Sequence, residues 1–124
     1  MDAIAIEMSP KTPLVNLSAN GMMEFKGRSI PENSIEFYTP VFNWIDKYSI
    51  KPLPKTSVHI QLEYFNTSSS KCLLDIFKKL QTLHQSGKSE VTVNWFYEED
   101  DEDMLEAGED YQAIIKVPFV MTKI

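Results

Sequence analysis

The pattern of apolar and polar positions divides the chain into strands and helices. Two short runs in which apolar residues alternate with polar ones, at 14–18 and 22–27, flank the pair Asn20-Gly21. This pair is typical of a two-residue hairpin turn in which both residues take positive φ. The pattern therefore predicts a β-hairpin at the start of the regular structure.

Three later runs alternate in the same way and predict strands at 57–65, 90–98 and 113–122. The first of them places four apolar side chains on one face: Val58, Ile60, Leu62 and Tyr64. Pro118 has no N–H to donate, so it predicts an edge position or a bulge for the last strand.

Apolar residues at helical spacing predict helices between these strands. Residues 28–49 predict a helix interrupted at Pro40, a second helix follows Ser70 and ends at Gly87, and the acidic run 97–111 predicts a third. Strands that alternate with helices are typical of an α/β fold. We expect one small domain with an N-terminal hairpin and a mixed sheet, parallel after the hairpin, on which the helices pack.

Composition and charge narrow the function further. The 124 residues suffice for a single domain, which we expect over 14–124, after a loosely ordered arm over 1–13 that has little pattern. A net charge of −6 without a basic stripe argues against nucleic acid or an anionic membrane as a partner.

Cys72 is the single cysteine and is expected to be a small buried apolar residue. With no signal peptide and no apolar run of about 20 residues, we predict a cytoplasmic location.

Hydroxyl side chains crowd the junction between the strand at 57–65 and the helix that follows. Asn66 precedes four of them in a row, at 67–70, although a helix N-terminus needs only one cap. Two interpretations stay open from the pattern alone: a plain helix cap, and a phosphorylation site at Thr67, which the junction would present on a turn. A phosphate brings about −1.5 to −2 charges, and the positive end of the helix dipole tolerates it.

Signatures of catalysis and metal binding are missing from the sequence. It contains no GxSxG, GxxxxGK[ST], GxGxxG, HExxH or CxxC pattern, and neither His59 nor His84 has a second ligand at metal-binding spacing. The acidic run departs from the calcium-loop pattern at Leu105 and Glu106. We predict no catalytic residue, no metal and no cofactor, and the acidic run is either a docking surface or a solvated helix.

Three stretches resemble the SiaC family of bacterial regulatory phosphoproteins: GRSIPENSIEFYTPVFNWI, LEYFNTSSSKCLLDIFKKL and VNWFYEEDDEDMLEAGEDY. The resemblance covers about residues 14–121, and its most specific pieces are residues 31–34 and 64–69. It implies a fold like that of STAS domains or anti-sigma-factor antagonists. It also implies phosphorylation by a dedicated kinase, removal of the phosphate by a PP2C-type phosphatase, and binding of the unmodified form to a diguanylate cyclase. That binding would promote cyclic di-GMP synthesis and biofilm formation.

Carried onto this sequence, the resemblance places the acceptor at Thr67, with Ser68 as a minor acceptor. The residues predicted to contact a partner are Asn66, Thr67, Ser68, Ser69 and Lys71. Two alternatives stay open: an anti-sigma-factor antagonist that switches partners, and a small hydrolase with a junction hydroxyl as nucleophile. A homodimer is a further open expectation.

Overall fold

Six strands and three helices form the computed structural model, which describes residues 2–124. The strands are β1 (Ile4–Ile6), β2 (Leu14–Ser18), β3 (Met22–Ser29), β4 (Lys55–Phe65), β5 (Glu90–Tyr97) and β6 (Phe119–Lys123). The helices are α1 (Ser34–Tyr48), α2 (Thr67–Gln85) and α3 (Glu102–Ile114).

All six strands form one sheet in the order in which they follow along the chain, from β1 to β6. The first three pair antiparallel, and β3 through β6 pair parallel. This confirms the predicted α/β domain with a mixed sheet that is parallel after the hairpin. Since strand–helix–strand connections are right-handed and the strand order always advances the same way, all three helices lie on one face of the sheet.

Burial along the central strands agrees with a sheet covered on one face. In β5, Val91, Val93 and Trp95 are fully buried, whereas Thr92 and Asn94 between them are only half-buried. The buried set faces the helices and forms the core. The other face of the sheet carries no helix among residues 2–124.

A bulge near the end of β4 reverses the direction of its last side chains. Gly27 pairs with Leu62, but the next residue, Arg28, pairs with Tyr64, so Glu63 is left over. Tyr64 is consequently 52% exposed, so the prediction that it shares one face with Val58, Ile60 and Leu62 is wrong. Phe65 turns inward instead and packs edge-on against Trp95, with ring centroids 6.3 Å apart.

The N-terminal segment is more ordered than its sequence suggests. Ile4–Ile6 form β1 and pair antiparallel with β2, and the indole Nε1 of Trp44 donates a hydrogen bond to the carbonyl of Asp2 at 2.8 Å. The expected loose arm over 1–13 is therefore wrong for these residues, and Met1 lies outside the described residues. The three-residue alternation at 4–6 was too short to predict a strand, and its pairing partner decided the outcome.

The hairpin joins β2 and β3 where predicted, but with a different turn. Ser18 pairs with Met22 across a three-residue loop, and the N–H of Gly21 donates to the carbonyl of Ser18 at 3.0 Å. Within this loop Gly21 takes positive φ, at 90°, whereas Asn20 does not. The predicted two-residue turn is replaced by a three-residue loop with glycine in the left-handed position.

A predicted helix break and a predicted strand start also differ from the structure. Helix α1 continues through Pro40 without a break, because a proline removes one hydrogen bond while the buried face of the helix still packs on the core. The last strand begins at Phe119 instead of residue 113, because α3 continues to Ile114. The prediction from Pro118 is confirmed, since it immediately precedes β6, an edge strand of the sheet.

Candidate functional site

Asn66 is the residue that caps α2. Its side-chain oxygen accepts a hydrogen bond from the N–H of Ser69 at 2.9 Å, and its own N–H donates to the carbonyl of Ser29 in β3 at 3.1 Å. The cap thus fixes the start of the helix to the sheet as well as satisfying a free backbone N–H. The helix begins at Thr67, the predicted acceptor.

A buried hydroxyl cluster lies directly beneath this cap. The hydroxyl oxygens of Ser29 and Tyr38 are 2.6 Å apart, and those of Ser29 and Ser69 are 2.8 Å apart. The Ser69 hydroxyl also donates to the carbonyl of Ser29 at 3.0 Å. The hydroxyl oxygen of Ser34, at the start of α1, lies 3.5 Å from the hydroxyl oxygen of Ser69. The cluster joins β3, α1 and α2 at one point in the core.

The prediction that Ser69 contacts a partner is therefore corrected. Its side chain is 0% exposed and fully engaged in the cluster. The run of hydroxyls divides between two roles, because a helix turns by about 100° per residue and sends successive side chains in different directions. Ser69 has the structural role, and the residues before it have the exposed one.

Thr67 and Ser68 both point into solvent, as does Lys71 one turn later. Asn66, by contrast, is half-buried. Within residues 2–124 neither exposed hydroxyl takes part in a side-chain hydrogen bond. They occupy the first two positions of α2, whose backbone N–H groups have no acceptor within the helix.

The first turn of α2 differs from those of the other helices in charge. Helix α1 carries Glu36 there, and α3 carries Glu102 and Asp103, whereas the first turn of α2 contains no acidic residue. The positive end of its dipole is consequently not neutralised by a side chain of the helix itself. A phosphate on Thr67 would supply the missing negative charge.

A groove of about 270 Å³ begins next to the junction and runs between α2 and α3. Ser70, Lys71 and Leu74 line its α2 side, and they follow Thr67 at the spacing that places all four on one face of the helix. The hydroxyl of Tyr111 on α3 lies 2.9 Å from the Ser70 hydroxyl and donates to the Ser70 carbonyl at 2.9 Å. The two helices are thus joined where the groove starts.

Large apolar side chains are exposed around the same junction. Ile35 is 70% exposed next to the buried Ser34, and Ile114 is 62% exposed at the far side of the groove. Exposed apolar residues that gather in one region are typical of a protein–protein contact surface. Sequence reasoning missed this surface because Ile35 and Ile114 are far apart in the chain.

Burial raises the pKa of two tyrosines near the site. It raises the pKa of Tyr38 to about 12, against a smaller opposing effect of its hydrogen bond with Ser29. Burial also raises the pKa of Tyr111, while its hydrogen bond with Ser70 opposes the shift. Both phenols therefore stay protonated and remain hydrogen-bond donors at neutral pH.

Neither histidine lies at the junction. The His59 ring packs against Phe96 on the open sheet face, and the Nδ1 atom of His84, near the end of α2, accepts a hydrogen bond from the N–H of Val91 at 3.0 Å. Across residues 2–124, no group of three or more His, Cys, Asp or Glu side chains is placed to hold a metal ion. In the same part of the chain, no helix is long and apolar enough to span a membrane.

The acidic run at 97–111 starts at the end of β5, forms the loop before α3 and continues through most of that helix. Asp101 caps the helix by accepting a hydrogen bond from the N–H of Met104 at 3.0 Å, and Glu99 lies 3.6 Å from the ammonium of Lys123. Part of this charge therefore stabilises the helix N-terminus. The remaining carboxylates are exposed.

A family profile and one related protein match most of this sequence. The profile of the family described as SiaC family regulatory phosphoprotein matches residues 6–124. An uncharacterised protein of Pseudomonas aeruginosa (strain UCBPP-PA14) is 31% identical over 101 residues, which cover 82% of this chain and 79% of the relative.

Two solved structures have the same fold over the whole chain. SiaC of Pseudomonas aeruginosa superimposes with a TM-score of 0.92 at 27% identity, covering 100% of both chains. A crystal structure of the diguanylate cyclase SiaD in complex with its activator SiaC, from the same organism, matches with a TM-score of 0.92 at 28% identity, covering 98% of this chain and 99% of that one. The family match spans nearly the whole chain, and so this protein is a member of the SiaC family of regulatory phosphoproteins.

Proposed function

We propose that this protein is a non-enzymatic regulator that binds and activates a diguanylate cyclase, and that phosphorylation of Thr67 prevents this binding. SiaC of Pseudomonas aeruginosa, which this chain resembles, is the activator in a complex with the cyclase SiaD. The observation that carries the proposal is the exposed Thr67 at the head of α2, next to exposed apolar side chains.

The proposed partner surface extends from Ile35 across Thr67 into the groove between α2 and α3. Apolar side chains in this region gain stability when a partner removes them from water. A phosphate on Thr67 would have to lose its hydration at the same contact, and an uncompensated buried charge is costly. Each 1.4 kcal/mol lost in this way weakens binding about tenfold.

The domain itself would tolerate the modification. The Thr67 side chain is exposed, so a phosphate meets no core atom, and the first turn of α2 holds no acidic residue that would repel it. The dipole of the helix favours the added charge by about 0.3 to 1 kcal/mol. The modification therefore changes the surface and leaves the fold intact, which is what a reversible switch requires.

A kinase and a PP2C-type phosphatase that act on Thr67 belong to this proposal. The exposed neighbour Ser68 is a minor acceptor in it, and Lys71 lies on the partner surface. The cytoplasmic location and a homodimer stay predictions.

The geometry gives no support to the alternative of a hydrolase. A nucleophilic hydroxyl needs a general base within hydrogen-bond distance. His84 lies near the opposite end of α2 from Thr67, about 26 Å along the helix axis at about 1.5 Å per residue. His59 points to the open sheet face and packs against Phe96.

The switch is tested by measuring the affinity of purified variants for the candidate cyclase by calorimetry. We expect Thr67→Asp to weaken binding by about tenfold or more, because it places a charge at the contact. Thr67→Asn is the matched control, since asparagine has nearly the same shape as aspartate but no charge. Its affinity should stay within about threefold of wild type. Equal affinity of wild type and Thr67→Asp would contradict the proposal.

The partner surface has its own test. Ile114→Asp at the groove should weaken cyclase binding strongly. Ile50→Asp is the control, because Ile50 is also highly exposed, at 76%, but follows α1 at the far end of the domain. If both variants bind like wild type, the groove is not the docking surface. Capture of an anti-sigma kinase in place of a cyclase would favour the partner-switching alternative.

A further inference from the structure

A second cleft, of about 290 Å³, shares no lining residue with the groove between α2 and α3. It lies where β4 and β5 end, on the sheet face that no helix covers. This face is identified by Lys26 and Phe96 in the wall of the cleft, since each follows a residue that is buried under the helices, Phe25 and Trp95. In sheets of parallel strands, the carboxyl ends are where ligands bind. The cleft therefore combines a favourable position with an uncovered surface.

The floor of the cleft is apolar and its rim is acidic. Met8, Phe96 and Ile124 contribute apolar surface, while the exposed carboxylates of the rim are Glu63, Glu98 and Asp100. Among residues 2–124 none of these three carboxylates forms an ion pair. Lys26 is the single cation in the lining.

The fourth carboxylate of the lining already has a partner. Asp101 accepts a hydrogen bond from the N–H of Met104 and caps α3. The rim thus presents three free negative charges against one positive charge, with an apolar surface between them. An anionic ligand is disfavoured there, and a cation with an apolar stem matches both features.

Met8 is a flexible side chain in the lining of the cleft. Gly27 has φ of +113°, and the Met8 side chain occupies the space beside it: a Cβ on Gly27 would lie 3.0 Å from the Met8 methyl. Met8 itself is 48% exposed. An unbranched, polarisable methionine can change rotamer to fit an incoming side chain, as methionines do at protein-binding surfaces.

We propose that this cleft binds an arginine side chain presented by a partner protein. The aliphatic stem lies on Met8 and Phe96, and the guanidinium meets Glu63, Glu98 and Asp100. Arginine fits better than lysine, because its planar group stacks on an aromatic ring and pairs with two carboxylates at once. None of the residues that line the cleft belongs to the groove between α2 and α3 or to the first turn of α2.

The test uses the whole chain, labelled with ¹⁵N, and a blocked dipeptide, acetyl-leucyl-arginine amide, followed by NMR titration. The control peptide carries citrulline, which has the shape of arginine without its charge. We expect saturable shifts centred on residues 61–63 and 96–101 with the arginine peptide, and clearly weaker binding of the citrulline peptide. Absence of binding at millimolar peptide, equal binding of both peptides, or shifts spread over the whole surface would overturn the proposal.

Two triple variants of equal net charge separate the cleft from general attraction. The cleft variant is Glu63→Gln, Glu98→Gln and Asp100→Asn, and the control variant is Glu32→Gln, Glu106→Gln and Glu109→Gln at exposed positions elsewhere. Because an exposed ion pair changes affinity by roughly 1.4-fold to fivefold, the cleft variant should bind the arginine peptide at least about threefold more weakly. The control variant should bind like wild type. Equal weakening in both would show attraction to the net charge alone and would overturn the proposal.

Discussion

The hydroxyl oxygen of Ser69 lies 2.8 Å from that of Ser29, although the two residues are 40 positions apart in the chain. Ser69 also donates to the Ser29 carbonyl, and both side chains are fully buried. These contacts fasten the first turn of α2 to the end of β3. Thr67 is therefore held on a rigid support, two residues before the attachment point.

Removal of the Ser69 hydroxyl should destabilise the domain. We expect Ser69→Ala to lower the free energy of unfolding by about 1 to 3 kcal/mol, because buried groups of Ser29 lose a partner. Ser68→Ala, at the exposed neighbour, should change it by less than about 0.5 kcal/mol. Urea denaturation of both variants is the measurement, and equal effects would show that the cluster contributes nothing.

A negative charge at position 67 should leave the fold intact or stabilise it. We expect Thr67→Asp to raise the free energy of unfolding by about 0.3 to 1 kcal/mol over Thr67→Asn, because α2 has no acidic residue in its first turn. Thermal unfolding at low and high salt measures the difference. It should shrink at high salt, and a destabilised Thr67→Asp would contradict an electrostatic switch that spares the fold.

Tyr38 should make stability fall steeply in alkali. Its pKa is about 12 in the folded protein and about 10 in an unfolded chain, so the unfolded state loses the proton first as the pH rises. The stabilisation is fully present below about pH 10 and is lost between about pH 10 and 12, at roughly 1.4 kcal/mol per pH unit. Urea denaturation across this range should show a smaller slope for Tyr38→Phe than for wild type. Equal slopes would mean that Tyr38 titrates normally.

Gly108 is required by the packing of α3 on the sheet. A Cβ there would lie 2.6 Å from the indole of Trp95, whose Nε1 donates to the carbonyl of Met104 at 3.0 Å. Although alanine favours a helix by about 1 kcal/mol over glycine, Gly108→Ala should destabilise the domain by about 1 to 3 kcal/mol. Thermal unfolding and the near-UV circular dichroism of the tryptophans measure this. Glu109→Ala, at the exposed next position, should be nearly neutral.

Cys72 should be unreactive in the folded protein. It is 3% exposed, and burial, followed by the nearby Asp75 carboxylate, raises the pKa of its thiol, so little of the reactive thiolate forms. Iodoacetamide should label the protein in urea and leave the native protein unlabelled on the same timescale. Rapid native labelling would contradict the prediction that Cys72 is a buried apolar residue.

The sequence by itself determined the features that depend on neighbouring residues. Alternation and helical spacing predicted the order of the elements from β2 to β6, because burial of one face imposes a period of two on a strand and 3.6 on a helix. Asn66 and the hydroxyls at 67–70 predicted a helix N-terminus, because a capping side chain accepts a hydrogen bond from a backbone N–H only two or three residues later. Thr67 at an exposed junction followed from the same local signals.

The tertiary structure alone decided the features that depend on residues far apart in the chain. The strand pairing of β1, the bulge at Glu63 that turns Tyr64 outward, and the burial of Ser69 each depend on a partner from another element. The surface around Thr67 and the acidic cleft likewise gather residues from several elements. Local pattern carries no information on such contacts, because packing and register form only when the elements meet in the folded chain.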